Sequence, residues 1–290
     1  MVERPHIEPI DIPEMQKIKI LMPGISRAGD NIALSDWRKG VMAEIKTGDD
    51  DIVTATDRKV EEYLIEYIKQ KFTDVHFIAE ESGGEAKKNG FTIDGIDGTS
   101  SFSKGGKDWS ISVSRLENGE VTLGIVYSPA NNELYYAKKG QGAYLYDGVI
   151  TRRINVSKED RPSYSTVGLG QDIVRRYDRS DIEERFKNKK ASRSHYAIAS
   201  SALMYGRLAS GQIDVAVQMG QPIWDIAPGI VIVKEAGGRF TNWDGQEQFE
   251  ITRERANNIV ASNGLLHNQA LQIIREQNIS RQENPYSKWR

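Results

Sequence analysis

Three aspartates limit the folds open to this chain. Asp94 and Asp97 stand in Ile93-Asp94-Gly95-Ile96-Asp97-Gly98-Thr99, at the end of an apolar run, and Asp225 stands in Trp224-Asp225-Ile226-Ala227-Pro228. Carboxylates gathered among apolar residues repel one another unless a divalent cation neutralises them, and hard oxygen ligands suit such an ion. A turn of small residues follows at once, Gly98-Thr99-Ser100-Ser101, whose amides and hydroxyls can receive an anion such as phosphate. A site for metal plus phosphate is the leading reading.

The spacing carries local detail. Two side chains three residues apart cannot share one face of a strand, so the chain must turn between Asp94 and Asp97, and Gly95 permits it. The alternative is an ordinary Asx turn. Ile96-Asp97-Gly98-Thr99 also mimics the Asp-x-Asp-Gly-Thr of phosphoaspartate enzymes, but the nucleophile would have to occupy position 95, which is glycine. Asp225 begins an expected helix over 225–236 with Pro228 in its first turn, where the helix dipole favours the ionised form. A plain N-cap is the competing reading, and the two uses are compatible. Glu80-Glu81 follows an apolar run over 75–79, where strands of α/β sheets deliver chemistry, and adds ligands for more than one metal ion and a carboxylate to orient water.

Composition narrows the chemistry further. The chain has 290 residues, none of them cysteine, which eliminates thiolate phosphatase chemistry, disulfide staples and Cys-based zinc sites. Its four histidines, at 6, 76, 195 and 267, all lie outside the acidic motifs. A net charge of -2 gives no footprint for nucleic acid, and the Arg/Lys-rich stretch from 175 to 190 is interleaved with acids, as on a solvated helix face. No apolar run reaches membrane-spanning length and no signal core follows the N-terminus, so a cytoplasmic protein without membrane contact is expected.

Hydrophobic periodicity predicts a helix over 56–72 with Val60, Leu64, Ile65, Ile68 and Phe72 on one stripe, capped by Thr56 or Asp57. Strands are expected over 75–79 and 91–94, then an antiparallel meander over 109–116, 121–128 and 133–138, with Asn118-Gly119 as a hairpin signal. Lys46 and the segment 47–51 read as a polar, mobile loop. From about residue 150 the pattern becomes helix alternating with strand: a polar helix over 172–187, an Ala/Ser-rich helix over 196–210, strands over 213–217 and 258–261, and a last helix over 265–277 before a loose tail at 280–290. Two halves are therefore expected, 1–150 with the metal and phosphate motifs and 151–290 carrying Asp225.

Taken together, Ala79-Glu80-Glu81-Ser82, the Asp94 to Thr99 motif, and Trp224-Asp225-Ile226-Ala227 with Glu235-Ala236-Gly237-Gly238 resemble the inositol monophosphatase family of metal-dependent, lithium-sensitive phosphomonoesterases. The likeness runs over about residues 30 to 275. It implies an α/β fold of αβαβα layers, a homodimer, and Mg²⁺ as cofactor with two or three ions per site. By position it implies Glu80, Asp94, the Ile96 carbonyl, Asp97 and Asp225 as metal ligands, and Thr99 with Asp57 and Glu80 as the group orienting the attacking water. The Gly98 and Thr99 amides would cradle the phosphate, and Gln218 and Asp225 would contact the rest of the substrate. The implied reaction is in-line attack of water on the phosphorus of a small phosphate monoester.

Three departures bear on the substrate. Gly95 stands where the family usually has proline, Gln218 where it has a sugar-contacting glutamate, and 194–197 lacks its Arg-Ser-x-Gly pattern. Pro228 and the stretch 261–267 look like the histidinol phosphatase branch. Inositol monophosphate is the first substrate expected and histidinol phosphate the second, with sugar bisphosphates and nucleotide 3'-phosphates behind them. A weakly catalytic relative acting by binding another protein is the alternative from a different class.

Overall fold

The computed structural model describes residues 15–275 apart from 41, 48–50, 86, 172, 174–179, 188–190 and 255. Helix α1 (Gln16–Arg27) passes through a π-helical turn (Ala28–Ala33) into α2 (Leu34–Lys39), and a short hairpin, β1 (Ala43–Thr47) and β2 (Asp51–Thr54), leads into α3 (Ala55–Lys69). A seven-stranded sheet follows in sequential order: β3 (His76–Ala79), β4 (Gly90–Asp97), β5 (Ser110–Glu117), β6 (Glu120–Ser128), β7 (Glu133–Lys138), β8 (Ala143–Tyr146) and β9 (Thr151–Ile154). The β3–β4 pair is parallel and the rest antiparallel, with α4 (Thr99–Ser103) inserted after β4.

A five-stranded sheet is built from β10 (Thr166–Gly170), β11 (Ser194–Ile198), β12 (Val215–Gln221), β13 (Arg239–Asn242) and β14 (Asn257–Ser262) in the order β11-β10-β12-β14-β13. Its helices are α5 (Ser180–Lys187), α6 (Ser201–Ala209), α7 (Ile223–Glu235) and α8 (His267–Arg275). Successive strand residues face opposite sides, so each sheet buries both faces against helices. Ile18, Leu21, Val60 and Leu64 of α1 and α3 pack on Phe91, Ile93, Val113 and Ile125 of the larger sheet. Leu203, Tyr205, Ile226 and Val233 of α6 and α7 fill the space between the sheets, against Val126, Tyr135, Ala216 and Phe240. Ile182, Phe186 and Leu271 of α5 and α8 cover the outer face of the smaller sheet at Val167, Val215 and Val260. The layers are therefore α, β, α, β, α, as the family resemblance implied, and α7 is apolar almost all round because it lies in the buried middle layer.

Several expectations are corrected. The cap of α3 is Thr54, not Thr56 or Asp57: its hydroxyl oxygen accepts from the Thr56 amide (3.2 Å) while Asp57 accepts from the Thr54 amide (3.1 Å) in a capping box. The meander continues through β8 and β9 beyond residue 138. The helix expected over 196–210 is a strand and then a helix. Residues 194–198 pair in parallel with β10, and α6 starts behind Ser200, whose hydroxyl accepts from the Leu203 amide at 3.0 Å. Helix α7 starts two residues early, with Pro222 at its N-cap and no side-chain cap, so Asp225 is not the N-cap. In the segment expected as a loop from Lys46, residues 48–50 lie outside the described residues and their flanks pair as β1 and β2. The polar helix is described over 180–187 and the last helix over 267–275, while 174–179, 276–277 and the tail at 280–290 lie outside the described residues. No described helix is long and apolar enough to cross a membrane.

Candidate active site

Strands β3 and β4 run side by side with Ala79 opposite Ile93, so their carboxyl ends emerge together and bring Glu80 beside Asp94. The β4–β5 ladder then slips: Asp94 faces Ser112 and Asp97 faces Ser110. This bulge, rather than a free turn, brings the two carboxylates to one side of a fully buried strand. Gly95 serves it through size, since a Cβ there would stand 2.6 Å from the Asp57 carbonyl oxygen. Gly98 adopts φ 92° and turns the chain into α4, a left-handed conformation that favours glycine. Asp225 arrives from the first turn of α7, and one carboxylate oxygen each from Asp94, Asp97 and Asp225 lie within 4.8 Å of one another.

Around this trio the remaining groups are fixed by hydrogen bonds. The start of α6 holds Asp97: Ser200 Oγ donates at 2.6 Å, and the Ala202 and Ser201 amides donate at 2.7 and 3.2 Å. The Ile96 amide donates to Asp94 at 2.9 Å. Thr99 Oγ1 stands 3.0 Å from both Asp57 Oδ1 and the Ile96 carbonyl, and its single proton serves one of them at a time. Asp57 is itself tied to the Thr54 hydroxyl.

These carboxylates are in an unfavourable setting on their own. Burial raises Asp94 well above the ordinary carboxylate range, and the neighbours that raise it further are Glu80, Asp225, Asp97 and Asp57. Burial also lifts Asp57 and Asp97 to about 7, although hydrogen bonds from Thr54 and Thr99 in one case, and from Ser200, Ala202 and Ser201 in the other, oppose it. Such a cluster of hard oxygens, in which burial and neighbouring carboxylates both oppose ionisation, fits a divalent cation.

Two residues at the site were not legible as such. Glu61 is fully buried and accepts at 2.8 Å from the Glu81 amide, the Ser82 amide and the Ser82 hydroxyl, so it anchors the turn that carries Glu80. Arg253 Nη2 donates to the Glu80 carbonyl at 3.0 Å from the other side. Gln218 is placed differently from the rest. It is 1% exposed, its amide reaches Met204 Sδ at 3.6 Å, and a Cβ at Gly170 would run into it, so its side chain is engaged in packing.

The fold brings together an acidic cluster suited to a divalent cation, and the comparisons supply the class, a family of phosphomonoesterases. The model of the inositol monophosphatase family matches residues 15–279. The Thermotoga maritima fructose-1,6-bisphosphatase/inositol-1-monophosphatase is 34% identical over 85% of this chain and 91% of that protein. The Mycobacterium tuberculosis histidinol-phosphatase is 30% identical over 76% of this chain and 83% of that one. Among solved structures, the Thermotoga maritima IMPase superposes with a TM-score of 0.79 at 32% identity, covering 91% of this chain and 97% of that chain. The chain belongs to the inositol monophosphatase family.

Proposed function

We propose that this chain is a Mg²⁺-dependent phosphatase of small hydroxylated phosphate monoesters, with inositol monophosphate the first substrate to test, histidinol phosphate the second and sugar bisphosphates next. The observation that carries the reading is the meeting of Asp94, Asp97 and Asp225 within 4.8 Å, with Asp94 and Asp97 buried and Asp94 raised by burial and by its carboxylate neighbours. Glu80, Asp94, the Ile96 carbonyl, Asp97 and Asp225 would hold two or three cations, which supply charge neutralisation and a lowered water pKa. Asp57 orients the Thr99 hydroxyl, and Thr99 in turn aligns the attacking water, with Glu80 as a further acceptor. The Gly98 and Thr99 amides open α4 and face the ester phosphate. Asp225 also borders the alcohol, whereas the burial of Gln218 gives its substrate contact no support.

The same reading includes a homodimer, lithium inhibition, and a functional division of the chain into 1–150 and 151–290. Phosphate release from a panel of phosphorylated metabolites, with and without Mg²⁺, tests it beside Asp94→Asn and Asp225→Asn. Metal-dependent turnover lost in both variants is the expected result; equal, metal-independent turnover in all three proteins would refute it.

A further inference from the structure

We infer that Arg253 is a specificity-determining residue that receives a second anionic group on the alcohol part of the substrate. The site then prefers phosphate monoesters carrying a further phosphate or carboxylate over neutral polyol monophosphates and disfavours amino alcohol phosphates, which moves sugar bisphosphates ahead of inositol and histidinol phosphates in the order given above. The inference rests on the phosphatase reading of the acidic cluster.

Arg253 comes from the segment between β13 and β14 and reaches the turn after β3. Its Nη2 donates to the Glu80 carbonyl at 3.0 Å, and its guanidinium carbon lies 5.8 Å from the centre of the Trp224 ring. Its Nη1 passes so close to Gly83 that a Cβ there would stand 3.0 Å away, so the glycine leaves room for the guanidinium. Glu80 and Trp224 are not arbitrary neighbours: one is a candidate ligand and the other precedes Asp225 in the chain. The guanidinium therefore stands between two of the acid-bearing segments, and Arg253 is exposed while Asp94 and Asp97 are buried.

A guanidinium offers five N–H donors in a plane, and a single one is engaged here, by a neutral carbonyl. No ion pair involves Arg253 among the described residues. Its neighbours thus fix its position without neutralising it, which leaves a fork suited to bidentate contact with phosphate or carboxylate. On the phosphatase reading the acidic cluster meets the reacting phosphate, so the charge of Arg253 is left for a different part of the substrate. A neutral hydroxyl gains little from it, and an ammonium group is repelled.

Arg253 also steadies the Glu80 turn, and the test separates that from recognition. Fructose 1,6-bisphosphate and fructose 1-phosphate form a matched pair, cleaved at carbon 1 with and without a second anion. The readout is the ratio of their kcat/KM values for the native protein, Arg253→Gln and Arg253→Ala. Glutamine removes the charge and retains an amide donor on a shorter side chain, and alanine removes both. The expected result is a ratio lowered roughly tenfold or more in both variants, through KM of the bisphosphate, with the monophosphate changed about threefold or less in Arg253→Gln. Equal losses on both esters, or an unchanged ratio, would overturn the inference and leave Arg253 a purely structural contact. Failure of the native protein to release phosphate from any ester with Mg²⁺ would instead remove the phosphatase reading beneath it.

Discussion

Replacing Glu61 with glutamine exchanges one carboxylate oxygen for an amide nitrogen at a position without solvent access. One oxygen of Glu61 accepts from the Glu81 amide, and the other from the Ser82 amide and hydroxyl, all at 2.8 Å. Whichever way the new amide is turned, its NH₂ confronts at least one of these donors. The better orientation leaves the Glu81 amide unmatched, which costs about 1–3 kcal/mol, while the two surviving bonds lose their charge assistance. Part of this is offset, because burial already raises the Glu61 pKa and so disfavours the carboxylate. A net loss of about 2 kcal/mol follows, equivalent in a chain of 290 residues to a Tm lowered by about 3 °C. Since the anchored turn carries Glu80, Mg²⁺ affinity falls as well, by about tenfold or more, as when a group that orients a metal ligand is lost. Differential scanning calorimetry of the metal-free protein and Mg²⁺ titration calorimetry measure the two effects. A variant with native Tm and native Mg²⁺ affinity would show that Glu61 does not anchor the turn.

Thr99→Ala removes the hydroxyl 3.0 Å from Asp57, and should lower kcat far more than it raises KM; a pure KM effect in steady-state kinetics would assign Thr99 to substrate binding instead. Asp57 and Asp97 titrate at about 7 without metal, so a cation must displace their protons below that pH, and Mg²⁺ affinity should rise between about pH 5 and 8 with proton release seen in buffers of different ionisation enthalpy. Metal-free stability runs the other way. The folded state keeps these protons while the unfolded chain loses them above 3.8, so these groups lower Tm as pH rises from there to about 7. His267 is buried, hydrogen-bonded by both ring nitrogens to the Thr241 and Ser262 hydroxyls, and lowered by burial to about 4. Its contribution is present above the unfolded value of 6.5 and is lost as pH falls to about 4, by up to about 3 kcal/mol. A Tm profile with saturating Mg²⁺ should flatten over that window in His267→Asn.

What was legible followed from periodicity and from charge in apolar company. The stripe Val60, Leu64, Ile68 marked α3 because it packs one recognisable face on the core, and apolar runs between turn signals marked β5 to β7, whose two faces are both buried. Asp94, Asp97 and Asp225 stood out because carboxylates rarely occur in apolar runs, and the fold does join them. Other features were set by tertiary context. The stretch from Tyr196 to Ala202 is rich in small residues that suit a helix, yet the pairing with β10 makes its first part a strand. Glu61 sits one turn after Asp57 on an amphipathic helix and reads as a solvated glutamate until the turn at 81–82 closes over it. Gln218 matched a family position by spacing, but the side chain lies in the packing beside Gly170 and Met204. Arg253 belongs to a polar connection whose meaning depends on the Glu80 turn it meets.

Anomalous diffraction from crystals grown with Mn²⁺ in place of Mg²⁺ addresses the acidic site most directly. The account predicts at least one strong anomalous peak between Asp94, Asp97 and Asp225, lost in Asp94→Asn. Crystals saturated with Mn²⁺ but showing no peak among these carboxylates would contradict it.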